Sequence, residues 1–244
     1  MFDRSPNDIH NKAMKTKSEL LFEKYCASIK YSCNPIPAAS KYGKTPDYWV
    51  CCGNDKIVAE IKELSPNDDD RRRARELKNQ RLTSGVVQPG KRVYDAITDS
   101  AKQLKKFAHC RLPCVLVIYD NTMVDDVRPK AVSQLQEPSI LDFGMYGLQI
   151  GILPVPNSDY YDTDIRATAN GRGGERRMTE TMRWYISAVS VLCEDQNGGE
   201  PYLLSYHNFF ACIPLPQHLF RGPLDRHFIK PDHPDKCPQV WGEL

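Results

Sequence analysis

The stretch Pro46-Asp47-Tyr48-Trp49-Val50-Cys51-Cys52-Gly53-Asn54-Asp55-Lys56-Ile57-Val58-Ala59-Glu60-Ile61-Lys62 decides how the rest of the chain is read. It holds two runs rich in aromatic and β-branched residues, Asp47–Cys52 and Lys56–Ile61. Such side chains suit a pleated, half-buried surface. Gly53, Asn54 and Asp55 lie between the runs. A Gly-Asn pair in that position predicts a hairpin with a type II′ turn, glycine first. With Gly53-Asn54 as the turn, Cys52 pairs with Asp55, Val50 with Ile57, Trp49 with Val58, and Asp47 with Glu60. Lys62, two residues beyond Glu60, shares its face. With Asn54-Asp55 as the turn, Asp47 faces Lys62 and the three groups still share one side. A three-residue turn would shift the register by one and turn Asp47 to the other face.

Directly opposed residues on one face bring their Cβ atoms roughly 4.5–5.5 Å apart, and like charges there are destabilising. A hard divalent cation removes that cost. Mg²⁺ is typically held by one or two carboxylates plus waters and phosphate oxygens. Asp47 and Glu60 are therefore candidate ligands for Mg²⁺ or Mn²⁺, joined by the backbone carbonyl of Ile61. Lys62 is placed to orient or help deprotonate an attacking water and to offset charge on a phosphate. The competing reading makes Asp47 a turn residue and Glu60 and Lys62 a solvated face. The position of the acids inside strand-like runs, where charge is disfavoured, argues against it.

These residues resemble the PD-(D/E)xK nuclease superfamily, with its restriction-endonuclease-like α/β core of helix, three strands, helix and strand. The chain offers elements in that order over residues 16–120. Thr16–Lys30 reads as a helix with Leu21, Tyr25 and Ser28/Ile29 on one stripe and a capping-box pattern at Thr16-Lys17-Ser18-Glu19. The hairpin follows. Val93–Ala108 reads as a second helix, with Val93, Ile97, Ala101, Leu104 and Ala108 at helical spacing. Pro113–Tyr119 is a continuous apolar run of buried-strand type. The strand before Asp47 is expected within Asn34–Lys44, although Pro35, Pro37 and Gly43 confine it to an edge or a bulge. The resemblance implies a Mg²⁺-dependent (endo)nuclease with Asp47, Glu60 and Lys62 as its catalytic set. It also implies a metal-shell role for Glu23 on the first helix and a site-facing role for Gln103 on the second. DNA is the expected substrate, and a homodimer is an available assembly. The alternative it leaves open is a non-catalytic relative that binds nucleic acid or a partner protein.

The chain has 244 residues with 41% apolar content and a net charge of +2. That is enough for one elaborated domain with one good-sized core. The near-neutral balance gives no overall basic signature, so nucleic acid would be met by local patches. No apolar run reaches membrane-span length, and the start lacks a signal-peptide hydrophobic region, so a cytoplasmic location is expected. The nine cysteines include no CxxC pair and read as free thiols, mostly in apolar runs. There is no Gly-x-Ser-x-Gly, no dinucleotide-binding glycine fingerprint and no His-Glu-x-x-His, which removes the commonest other hydrolase and nucleotide-binding readings.

A charged insertion at 65–92 carries Asp68-Asp69-Asp70 followed by Arg71-Arg72-Arg73. It reads as a solvated loop or short exposed helix, or as an arm that tracks a nucleic-acid backbone. A second basic loop, with Arg172, Arg176 and Arg177, reads as a flexible connector, with phosphate contact or disorder as the alternatives. Residues 121–213 are expected to extend the sheet, with a strand at Leu148–Val155 and a hairpin of Trp184–Cys193 and Tyr202–Phe210 around Asn197-Gly198. The lone strand histidine His207 reads as structural. The proline-rich tail, 214–244, is expected to wrap the surface.

Overall fold

The computed structural model describes residues 15–37, 44–79, 90–122, 134–136, 138–154, 161–167, 178–195, 198–234 and 240–244. The first part of the chain forms α1 (Lys17–Ser28), β1 (Ser32–Pro35), β2 (Tyr48–Cys52), β3 (Asp55–Leu64), α2 (Asp68–Lys78), α3 (Lys91–Ala108) and β4 (Cys114–Asp120). The remainder forms α4 (Pro138–Tyr146), β5 (Leu148–Pro154), β6 (Tyr161–Ala167), β7 (Ala188–Cys193), β8 (Tyr202–His207), β9 (Arg226–Ile229) and β10 (Gly242–Glu243). The result is an α/β fold around an eight-stranded mixed sheet in the order β1-β2-β3-β4-β7-β8-β9-β10. No described helix is long and apolar enough to cross a membrane.

The sheet is covered on both faces, which is why β4 and β7 are apolar almost throughout. β3, β4 and β7 run parallel to one another, and β4 and β7 are buried almost end to end. Parallel strands need crossovers that cover the sheet, so alternation of polar and apolar residues disappears. One face packs Ile57, Ala59, Ile61, Val115 and Val117 against Phe22, Tyr25 and Cys26 of α1. The other packs Val58, Leu116, Ile118, Val189 and Val191 against Val93, Ile97 and Leu104 of α3 and Leu141 and Met145 of α4. α3 and α4 meet closely because Gly144 lacks a side chain: a Cβ there would lie 2.4 Å from Val93 Cγ1.

α1 begins at the expected capping box, with the Thr16 side chain accepting from Glu19 N–H and the Glu19 side chain accepting from Thr16 N–H. Its buried stripe is Ser18, Phe22, Tyr25 and Cys26, one residue round from the expected one; Leu21 is only half-buried and Ser28 is exposed. The strand sought within Asn34–Lys44 starts earlier, at Ser32, and ends at Pro35, an edge position where a missing N–H costs no ladder bond. Leu148–Pro154 is a strand but does not extend the main sheet. It pairs only with β6, in a separate two-stranded ribbon. β7 and β8 form the expected antiparallel hairpin.

The tail does more than wrap. β9 adds parallel to β8, β10 closes antiparallel on β9, and Leu215, Leu219 and Phe220 enter the α1-side core. Periodicity missed this because each tail strand is short and flanked by prolines. A buried ion pair ties the tail to α4. Lys230 Nζ lies 2.6 Å from an Asp142 carboxylate oxygen, both side chains essentially inaccessible, and 4.4 Å from the Trp241 ring centroid. His207 and His227 form a second buried polar pair, with Nε2 and Nδ1 2.8 Å apart. His227 Nε2 lies 2.9 Å from the Phe220 carbonyl, which can only accept. His227 Nε2 therefore carries a proton, and in the neutral pair His207 Nε2 donates to His227 Nδ1. Burial lowers both histidine pKa values, His207 to about 4.

Breaking a buried pair strands one charge, whereas replacing both partners by apolar groups does not. Asp142→Asn is expected to cost about 3–5 kcal/mol in urea denaturation. The double variant Asp142→Leu/Lys230→Met is expected to be markedly more stable than Asp142→Asn; equal loss in both would contradict this role for the pair.

Candidate active site

The β2–β3 turn sets the site. Gly53 has φ +58° while Asn54 stays out of the left-handed region, the pattern of a type II′ turn. The register is Cys52↔Asp55, Cys51↔Lys56, Val50↔Ile57, Trp49↔Val58 and Tyr48↔Ala59. Residues flanking a two-residue turn form a hydrogen-bonded pair, and such pairs alternate with non-bonded ones along an antiparallel ladder. The parity makes Cys52, Val50 and Tyr48 bonded positions. The regular ladder ends at Tyr48↔Ala59; Asp47, just beyond it, sits at a bend where its carboxyl comes against that of Glu60.

Parity also explains why proline precedes the aspartate. The next bonded pair would be Pro46 with Ile61. Pro46 has no N–H to give, so the ladder stops and the chain bends at Asp47. The Asp47 carboxylate takes over, with Oδ2 accepting from Ile61 N–H at 2.7 Å. Asp47 N–H donates to Ala59 O at 3.1 Å and its carbonyl accepts from Ile36 N–H at 2.8 Å, so the residue is pinned from both sides. N–H and C=O of one strand residue point to the same edge. The Ile61 carbonyl therefore also faces this edge, where Pro46 offers it no donor.

Glu60 is 1% exposed. Its Oε1 lies 2.8 Å from Lys62 Nζ, and Lys62 is partly open to solvent. Its Oε2 is buried with no N–H donor reaching it, and the Glu60 and Asp47 carboxyls hydrogen-bond each other only while they share a proton. Burial, then the negative charge of Asp47, raise the Glu60 carboxyl to about 7, against the opposing pull of Lys62. Asp47 is raised as well, mainly by burial; the Ile61 N–H bond opposes this and the charge of Glu19 adds to it. Two carboxyls at close quarters cannot both ionise cheaply. At neutral pH the pair sits near the point of losing its second proton.

The other expected site residues divide. Gln103 is buried on α3, on the same side of the sheet as Glu60. Its amide donates to the Thr45 carbonyl at 3.0 Å, so it fixes the segment entering Asp47 and does not present its amide to the site. Glu23 is engaged by Lys15 and acts on the Tyr48 hydroxyl. The α1 acid that acts on Asp47 is Glu19. The sequence marks Glu19 only as a capping residue, and that local role hid its reach across the sheet. Arg71 and Arg72 on α2 pair with Asp68 at 3.2 Å and Asp69 at 2.8 Å, one turn away. The Arg73 side chain, and Arg172, Arg176 and Arg177 altogether, lie outside the described residues.

Among the described residues there is no group of three or more His, Cys, Asp or Glu side chains close enough to hold a metal. The donors brought together are the two carboxylates, with the Ile61 carbonyl on the strand edge that faces Asp47. That set suits a hard cation which completes its shell with water and phosphate, as Mg²⁺ does. The observation that fits such an ion is the buried Glu60–Asp47 carboxyl pair, which no N–H donor reaches at Glu60 Oε2 and which is left uncompensated there once its shared proton leaves. No protein-family model, no curated protein and no solved structure matches this chain.

A carboxyl whose pKa is raised on folding favours the acid side of its titration. The penalty on the fold is absent below about pH 4.5 and complete above about pH 7, on the order of 3 kcal/mol. His207 works in the opposite sense, since a buried neutral base loses stability as pH falls from 6.5 towards 4. The contribution of Glu60 is therefore read as a difference. Without divalent ions, Glu60→Gln is expected to melt higher than wild type at pH 8 and to lose that advantage at pH 5. An advantage of the same size at both pH values would contradict the assignment.

Proposed function

We propose that the chain is a metal-dependent nuclease with a restriction-endonuclease-like core, hydrolysing phosphodiester bonds with DNA as the expected substrate. One observation carries the reading: a buried glutamate pressed against an aspartate, with no N–H donor at one oxygen and a lysine at the other. The order of elements through β4 supports it, with α1 on one face of the sheet and α3 on the other. The two helices between β3 and β4, in place of the family's one, include α2 from the charged insertion.

When bound, Mg²⁺ or Mn²⁺ supplies positive charge that cancels the repulsion between Asp47 and Glu60 and offsets charge on the phosphate. Asp47 is held ready by Ile61 N–H. Glu60, with its carboxyl at about 7, gives up its remaining proton at little cost near neutrality. Lys62 is the partly exposed member of the set, and its ammonium can face an attacking water and a phosphoryl oxygen once Glu60 has another partner.

The second reading, a nuclease-fold protein that binds nucleic acid or a partner without cutting, also has its observation. Lys62 already compensates one Glu60 oxygen at 2.8 Å without an ion. Calorimetry separates the two. The nuclease reading expects Mn²⁺ to bind and to release a proton near pH 7, seen as a heat that varies with the buffer's ionisation enthalpy. Glu60→Ala is expected to abolish that heat. Purified protein is expected to degrade DNA with Mg²⁺, and Glu60→Ala and Lys62→Ala each to lose about 10²-fold or more of that rate. Hydrolysis that survives both substitutions would remove the nuclease reading.

A further inference from the structure

On the flank of α3 away from Gln103 and Lys106, the helix and the segment before β7 enclose an open groove of about 380 Å³. Thr98, Lys102 and Lys105 form one wall; Arg183 and Trp184 form the other, with Tyr185 beside them. Three of the lining side chains are cationic and none is acidic. Lys102 and Lys105 are exposed, one helical turn apart, and neither makes an ion pair among the described residues. Arg71 and Arg72, by contrast, each pair with an aspartate one turn away.

The opposite wall is rigid. Arg183 adopts φ +58°, a left-handed conformation that costs a non-glycine residue. It is held there by its surroundings. Its guanidinium donates to Thr98 Oγ1 at 2.8 Å and lies 5.4 Å from the Tyr94 ring centroid. Its carbonyl accepts from Ile186 N–H at 3.0 Å, and the next carbonyl, of Trp184, accepts from Cys212 N–H at 2.8 Å. Trp184 is half-buried and meets Tyr185 edge-on, at 78° between ring planes. Cations along one side and a fixed aromatic on the other are what a flexible polyanion with flat bases requires. A duplex keeps its base faces stacked and cannot offer them to Trp184.

We infer that this groove binds a single strand of nucleic acid, with phosphates along Lys102 and Lys105 and a base against Trp184. The identity of the polyanion rests on the nuclease reading. The groove then gives a substrate strand a seat on α3, the helix whose Gln103 also anchors the segment carrying Asp47.

The test is fluorescence anisotropy with a labelled single-stranded 12-mer and its duplex, using the full chain in EDTA so that binding is measured without hydrolysis. Single strand is expected to bind more tightly than duplex and to quench tryptophan emission, and Trp184→Phe is expected to reduce the quench. Lys102→Gln/Lys105→Gln, whose substituted side chains are exposed, is expected to weaken binding about tenfold at 0.1 M salt. The slope of log K against log salt should shrink by about 1.4, since each single-strand phosphate contact contributes about 0.7. An unchanged affinity and slope in that variant, tighter binding of duplex, or no binding of either oligonucleotide by wild type would overturn the inference. Cleavage that needs Glu60 but ignores the two lysines would sink the groove and leave the nuclease reading standing. Groove-dependent binding without Mg²⁺-dependent cleavage would do the reverse.

Discussion

Hydrogen-bond parity along the β2–β3 hairpin is the constraint on which the rest depends. A two-residue turn at Gly53-Asn54 fixes which positions exchange backbone bonds. The ladder so fixed runs to Tyr48↔Ala59, and just beyond it Asp47 meets the Glu60 carboxyl and captures Ile61 N–H with its own. Proline and aspartate act as one device. The first removes a donor from the ladder, and the second occupies the vacated position with a charged acceptor. A one-residue slip would bury Asp47 on the α1 face and leave Glu60 without a neighbour to raise its pKa.

The surroundings of the hairpin convert proximity into tension. α1 and α3 cover the sheet from opposite sides, so Glu60 lies within apolar packing rather than at a wet rim. Lys62 relieves only one of its oxygens. Glu19, fixed by its cap at the start of α1, adds a further negative field on Asp47. The molecule holds this unfavourable cluster because the cores on both faces are large and continuous. Local cost at a prepared site is characteristic of function.

The hairpin, its register as far as Tyr48↔Ala59 and the shared face of Glu60 and Lys62 were legible in the sequence because period-two patterning and turn chemistry are local signals. α3 was legible for the same reason, its apolar residues recurring over 18 positions. What sequence could not show was set by distant contacts. Glu19 and Glu23 are equally plausible acids on one helix, and only the packing angle of α1 decides which of them acts on Asp47. Gln103 and Thr45 are 58 residues apart, and no spacing rule joins them. The tail strands are four and two residues long. β9 is a strand because β8 presents an edge to it, and β10 because β9 then does, not because their composition demands it.

That dependence has a consequence for assembly of the molecule. During synthesis β1, β2, β3, β4, β7 and β8 all emerge before residue 226, and until β9 arrives the β8 edge stands open with unpaired amides and carbonyls. The Asp142 carboxylate on α4 likewise waits for Lys230, translated 88 positions later. A nascent chain halted between these points would carry a formed hairpin beside a sticky flank and an unneutralised interior charge. Such a species is prone to joining a neighbour edge to edge. The last strands therefore act as a closing seam, and the risk of aggregation falls on the interval before it is stitched.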